Sequence, residues 1–75
     1  MFPLSCLPLG KSARILSLSA REPLLGRLMD LGFVPGSEVR PLYTAPAGDP
    51  RAYLVCDTVI ALRPRDAATV AVEAL

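Results

Sequence analysis

The stretch PLLGRLMDLGFVPGSEV, residues 23–39, predicts a short helix followed by a tight turn and a strand. Its opening proline suits a first helical turn, where the missing N–H is not needed. Leu24, Leu28 and Leu31 follow at i, i+4 and i+7, which places them on one helical face. Gly32 then stands where a left-handed residue commonly ends a helix. The stretch therefore indicates an amphipathic helix with one face against a core.

The turn that follows the helix leads into a series of short strands. Val34–Ser37 predicts a type II turn, because proline fixes the first central φ and glycine supplies the positive second one. Pro41 indicates that the next strand is an edge strand or carries a bulge. Arg63–Asp66 is typical of one helical turn. Strands are predicted over Ala13–Leu18, Glu38–Ala45, Arg51–Cys56, Val59–Leu62 and Thr69–Glu73, with a tight turn at Asp57–Thr58 and a hairpin loop over residues 46–50.

The chain length predicts a single domain over residues 1–75. Short antiparallel strands with turns every 8 to 12 residues, roughly, are typical of barrels, which leave few open edges. The predicted fold is therefore mostly β. Its core is expected to contain the apolar residues that recur with the period of their elements, namely Ile15, Leu18, Leu28, Leu31, Val39, Tyr53, Val55, Ile60, Leu62, Val70 and Val72.

Composition and charge argue against several classes of protein. The chain carries 8 basic and 7 acidic residues, whereas nucleic-acid binders usually show a strong basic excess. A membrane span needs about 20 apolar residues in a row, and the apolar run from Val59 ends at Leu62. The first residues have no basic start before their apolar stretch, unlike a signal peptide. We therefore expect a cytoplasmic protein that binds no nucleic acid.

The residues that usually carry catalysis or bind metals are scarce. There is no histidine, and the two cysteines, Cys6 and Cys56, are far apart in sequence, whereas zinc sites usually need four ligands. Gly10–Ser12 resembles the end of a phosphate-binding loop but lacks its first glycine and its preceding strand. No catalytic, cofactor-binding or metal-binding residues are expected, and the chain is not expected to be an enzyme.

The predicted helix has a wider apolar stripe than packing against a core requires. Leu25 and Met29 widen the stripe to about 160°, compared with the ~100° that one core-facing side needs. Either neighbouring loops cover these two side chains or a protein partner does. In the second case Leu25 and Met29 would be the apolar anchors of partner binding, with Arg27 at the rim.

Several motifs, taken in order, resemble the FeoA family of small proteins of bacterial ferrous iron uptake. The first is LMDLGFVPGSEV over Leu28–Val39. An Ala-Pro-x-Gly-Asp-Pro hairpin follows at Ala45–Pro50, and an Ala-Leu-Arg strand at Ala61–Arg63 precedes a short turn carrying Ala67. The resemblance extends from about Leu7 to Glu73.

The resemblance implies a small SH3-like five-stranded barrel with a helix inserted after the first strand and a short helical turn before the last strand. It also implies a cytoplasmic adaptor or regulator of the FeoB permease, which contacts the cytoplasmic G-protein domain of the permease and meets the membrane only through it. It implies neither catalysis nor a cofactor. The alternative is a stand-alone SH3-like regulatory module related to the C-terminal domain of iron-dependent repressors.

The family register also predicts which way the strand Arg51–Cys56 presents its side chains. It implies that Ala52, Leu54 and Cys56 face outward, where an apolar strand surface favours pairing with another chain. A weak homodimer through these three residues is therefore expected. Arg51 would take an inward position at the mouth of the barrel, with its stem buried and its charged head in water.

Overall fold

Residues 1–75 form one antiparallel sheet of six strands in the computed structural model. The strands are β1 (Phe2–Pro3), β2 (Ala13–Leu18), β3 (Glu38–Thr44), β4 (Arg51–Val55), β5 (Thr58–Leu62) and β6 (Val70–Ala74). Their order across the sheet is β1-β6-β2-β3-β4-β5. The predicted mostly β fold is confirmed, with β1 as a sixth, very short strand.

Two short helices and a 3-10 turn connect the strands. Helix α1 (Leu24–Asp30) follows β2, helix α2 (Pro64–Ala67) precedes β6, and the 3-10 turn covers Leu4–Cys6. Neither helix has the length or the continuous apolar character that a transmembrane segment needs.

A Schellman motif ends helix α1. Gly32 has φ +107°, its N–H donates to the Met29 carbonyl at 3.1 Å, and the Phe33 N–H donates to the Leu28 carbonyl at 2.9 Å. The glycine cap is therefore confirmed. The cap also turns Phe33 inward onto Leu28, and both side chains are almost completely buried.

One core fills the space that the curled sheet encloses. It contains the inward residues of the longer strands together with Leu4, Leu7, Leu28 and Phe33 from the intervening segments. The prediction that Leu31 is buried was wrong: this residue at the end of α1 lines an open surface groove and is 40% exposed. The prediction also omitted Phe33, which takes that place in the core. Leu18 and Ile60 are half-buried, and the other predicted core residues are buried.

Irregularities in β3 and β4 differ in part from the prediction. Pro41 had indicated either an edge strand or a bulge. Since β3 is a central strand and its register shifts next to Pro41, the bulge is confirmed and the edge position is wrong. The tight turn between β4 and β5 is formed by Cys56 and Asp57, with φ of 50° and 61°. Two positive φ values match a type I′ hairpin turn, which ends β4 one residue earlier than predicted.

Candidate functional site

A groove of about 250 Å³ separates helix α1 from β5 and α2. Its apolar wall comes from one side of the helix, with Leu24, Leu28 and Leu31. The opposite wall includes Ala61 and Leu62 at the end of β5. The polar groups at the groove are Arg27, Arg63 and Asp66. The groove therefore has a mixed lining of apolar side chains and charged groups.

The residues predicted to bind a partner lie on two sides of α1. Arg27 is exposed and lines the groove, whereas Met29 is 43% exposed on another side of the helix. Leu25 is half-buried and packs against the core, so neighbouring parts of the chain partly cover it. Leu31 was assigned to the core and instead adds exposed apolar area. We call the exposed Arg27, Met29 and Leu31, together with the half-buried Leu25, the α1 surface, which extends around two sides of the helix.

The end of α1 contacts the hairpin turn between β4 and β5. A Cβ atom added to Gly32 would lie 2.9 Å from the Cys56 Sγ, a distance at which something must shift. Glycine is therefore favoured at position 32 for two reasons, the positive φ and this close approach. The contact fixes one end of α1 relative to the turn that begins β5.

The strand face predicted to self-associate is only partly available. Ala52 is 5% exposed, although it was expected to face outward and be accessible. It lies between the exposed residues Tyr43 and Ala61 of the neighbouring strands, and its short side chain is covered there. Leu54 is half-buried and Cys56 is exposed, and both line an open groove of about 380 Å³ together with Val39 and Arg40.

Arg51 is half-buried, and its guanidinium binds the first residues of the chain. Its Nη1 donates to the Ser5 carbonyl at 3.0 Å and its Nη2 donates to the Leu7 carbonyl at 2.8 Å. The guanidinium carbon also lies 5.6 Å from the centre of the Tyr53 ring. The side chain therefore joins the N-terminal segment to β4.

The hydroxyl of Tyr53 is buried and has no hydrogen-bond partner in the protein. Burial raises the pKa of this phenol, and the nearby positive charge of Arg51 offsets part of the increase. The neutral form is thus the one that the folded protein favours.

Groups that could hold a metal do not come together. No three residues among His, Cys, Asp and Glu are close enough to form a site. Cys6 and Cys56 are both exposed free thiols. The groove beside α1 likewise contains one carboxylate and two arginines but no cysteine or histidine.

A curled antiparallel sheet with a helix after its first long strand defines a small SH3-like domain. The FeoA domain family model matches residues 2–74, and the chain therefore belongs to that family. The predicted resemblance is thus confirmed. The family serves ferrous iron transport.

Two FeoA structures and one curated protein illustrate the match. FeoA of Chlorobium tepidum is 34% identical with a TM-score of 0.92, covering 99% of this chain and 70% of that one. FeoA of Stenotrophomonas maltophilia, solved with zinc and described as a prokaryotic SH3 domain protein, is 39% identical with a TM-score of 0.85, covering 97% of this chain and 91% of that one.

The curated relative is a fusion of Fe(2+) transport protein A with the Fe(2+) transporter FeoB in Porphyromonas gingivalis. It is 36% identical over 70 residues, which are 93% of this chain and 8% of the fusion protein. A manganese-dependent transcriptional repressor shares the fold at 18% identity and a TM-score of 0.85, covering 97% of this chain and 41% of that one.

Proposed function

We propose that this domain is a cytoplasmic adaptor that regulates a FeoB-type ferrous iron permease by binding its cytoplasmic G-protein domain. The observation that carries the proposal is the Porphyromonas gingivalis fusion, in which a related domain and the transporter are one polypeptide. Covalent linkage raises the local concentration of two modules and strengthens a weak contact between them. A chain that carries this domain alone would make the same contact by diffusion.

The α1 surface is the proposed docking site on this chain. Met29 and Leu31 are 43% and 40% exposed, so both can lose apolar area to a partner. Arg27 supplies a cation at the rim, where a charge mainly changes the association rate and its salt dependence. Leu25 supports the surface from below, since it already packs against the core.

The proposal is tested by a binding titration. The purified G-protein domain of the permease is titrated with this chain in the presence of a GTP analogue or GDP. We expect Met29→Ser combined with Leu31→Ser to weaken binding at least tenfold, roughly, because buried apolar anchors carry most of an interface's affinity. Arg27→Ala should mainly slow association at low salt. Tyr43→Ser is the control, since Tyr43 is 60% exposed on β3 and outside the α1 surface.

Two results would contradict the proposal at different levels. If wild-type chain does not bind the G-protein domain in either nucleotide state, the adaptor function is wrong. If the double variant binds as tightly as wild type, the function stands and the docking site is wrong. The repressor-like alternative rests on shared fold at low identity, and fold alone does not establish function.

A further inference from the structure

The outer edge of β5 is an unpaired strand edge. In the sheet order β5 is a terminal strand, and its only partner is β4. The other terminal strand, β1, has two residues and ends in Pro3, which makes it a poor template for pairing. In contrast, β5 has five residues and contains neither a proline nor a charge. Natural proteins usually protect an exposed strand edge by keeping the strand short or by placing a proline or a charge in it.

The hairpin geometry determines which backbone groups of β5 point outward. Val55 and Thr58 flank the two-residue turn, so they form a hydrogen-bonded pair. Because hydrogen bonding alternates along an antiparallel pair, the N–H and C=O groups of Val59 and Ala61 point away from β4. None of them makes a backbone hydrogen bond to a loop. The side chains of these two residues lie on one exposed face of β5, with Val59 52% exposed, so they are accessible to the side chains of an added strand.

We propose that this edge pairs antiparallel with the β5 edge of a second copy of the chain, around a two-fold axis at Ile60. In that register, Val59 lies opposite Ala61 of the second copy, so the outward N–H and C=O groups meet and form a hydrogen-bonded pair on each side of the axis. The same register places Asp57 opposite the second copy's Arg63, twice. A shift by two residues takes Asp57 away from Arg63 and shortens the paired stretch.

Charge complementarity is what selects a second copy as the occupant. The residues that flank β5 have opposite charges, Asp57 before it and Arg63 after it. An antiparallel partner strand can pair with both charges only if it also has a negative residue before it and a positive residue after it. A second copy of the chain meets this condition by symmetry. Asp57 lies in the hairpin turn and Arg63 directly follows β5, so each would face the opposite charge at one end of the paired strands, where opposite charges attract.

The dimer also has a consequence for the groove beside α1. Ala61, within β5, and Arg63, directly after it, both line that groove. Pairing two β5 strands therefore narrows access to the groove in both copies. A single pair of five-residue strands is small compared with the roughly 1,200 Å² of standard interfaces, so the dimer is weak. It does not depend on the proposed adaptor function.

Ala61→Pro tests the pairing directly. The Ala61 N–H is not used in the β4–β5 ladder, and proline is tolerated in an edge strand when its N–H side faces solvent. In sedimentation of the full chain from about 1 µM to about 1 mM, we expect wild type and Ala61→Ser to dimerise. Ala61→Pro should remain monomeric, with an unchanged far-ultraviolet circular dichroism spectrum. Val59→Lys, which places two lysines beside the axis, should weaken dimerisation if the proline variant unfolds.

The flanking charges test the register. Asp57→Asn keeps a residue that tolerates φ of 61° and removes the carboxylate. We expect it to weaken dimerisation roughly fivefold, because it deletes both cross-strand pairs. Arg63→Gln should do the same, and the double variant should be no weaker than either single variant. Lys11→Gln, in a loop, is the control for lost charge. Wild type that stays monomeric at about 1 mM, or variants at 59 and 61 that dimerise like wild type, would overturn the proposal.

Discussion

Replacing Arg51 with methionine should detach the first residues of the chain from the barrel. Methionine retains much of the apolar stem, so the change mainly removes the guanidinium and its bonds to the Ser5 and Leu7 carbonyls. The segment that loses this attachment includes Leu4 and Leu7, which are 0% and 2% exposed. We expect the N-terminal segment to open more often and the whole domain to become less stable.

The size of the effect follows from the contacts that are lost. A hydrogen bond to a charged group contributes about 1.5–3 kcal/mol, and half-burial of Arg51 reduces this to about 1 kcal/mol for each of the two. The contact with the Tyr53 ring adds about 0.5 kcal/mol. The sum is about 2–3 kcal/mol, out of the total of roughly 4–11 kcal/mol that is typical of a domain this size. The melting temperature should fall by about 10–20 °C.

Urea denaturation and amide hydrogen exchange measure the two parts of this prediction. Exchange should accelerate most at the Leu7 N–H, which donates to the Leu4 carbonyl within the released segment. Arg40→Met is the matched control, since Arg40 is exposed on the neighbouring strand. A loss below about 0.5 kcal/mol with unchanged protection at Leu7 would show that Arg51 does not hold the segment in place.

Three further substitutions have defined outcomes. Gly32→Ala should lower the free energy of unfolding, measured by urea denaturation, by about 1–3 kcal/mol, because of the φ of +107° and the contact with the Cys56 Sγ. Adding Cys56→Ala to this variant should restore only the part that is due to the contact. Tyr53→Phe should matter mainly at high pH: burial raises the folded-state pKa of the phenol above 10.0, so the wild type has its full stability below that pH and loses stability as the pH rises past it. The denaturation midpoint should therefore fall less between about pH 8 and about pH 11 in the phenylalanine variant than in the wild type. An equal fall in both proteins would contradict this. Leu28→Ala should cost about 2–5 kcal/mol, because Leu28 is 1% exposed, and a thermal midpoint close to that of wild type would show that α1 is peripheral to the core.

Local signals in the sequence predicted the elements, and the contacts between distant segments decided the rest. Gly32 and the turn after it could be identified because the backbone conformations they need favour particular residues. Helical periodicity could not show that Phe33 is buried in place of Leu31, because the helical period of about 3.6 residues no longer applies after the cap at Gly32. The carbonyls that bind Arg51 are 46 and 44 residues away in sequence. No pattern around Arg51 indicates them.

The candidate site was predicted to a similar extent. The apolar surplus of the helix was visible in its sequence, but the sequence left open what covers it. In the structure Met29 is 43% exposed, whereas Leu25 is partly covered by the chain itself. The burial of Ala52 depends on its neighbours across two other strands, which only the sheet order brings together. The free edge of β5 depends on the sheet order in the same way, since a strand's sequence does not state which strand will be last.

The pairing of β1 with β6 makes this domain easy to attach to other proteins. Phe2 lies opposite Val72, so the two ends of the chain emerge beside each other, about 10 Å apart. Met1 and Leu75 are also 88% and 60% exposed. A linker of a few residues could therefore join the ends of a circular permutant, and the domain could be inserted into a loop of a host protein without spreading that loop.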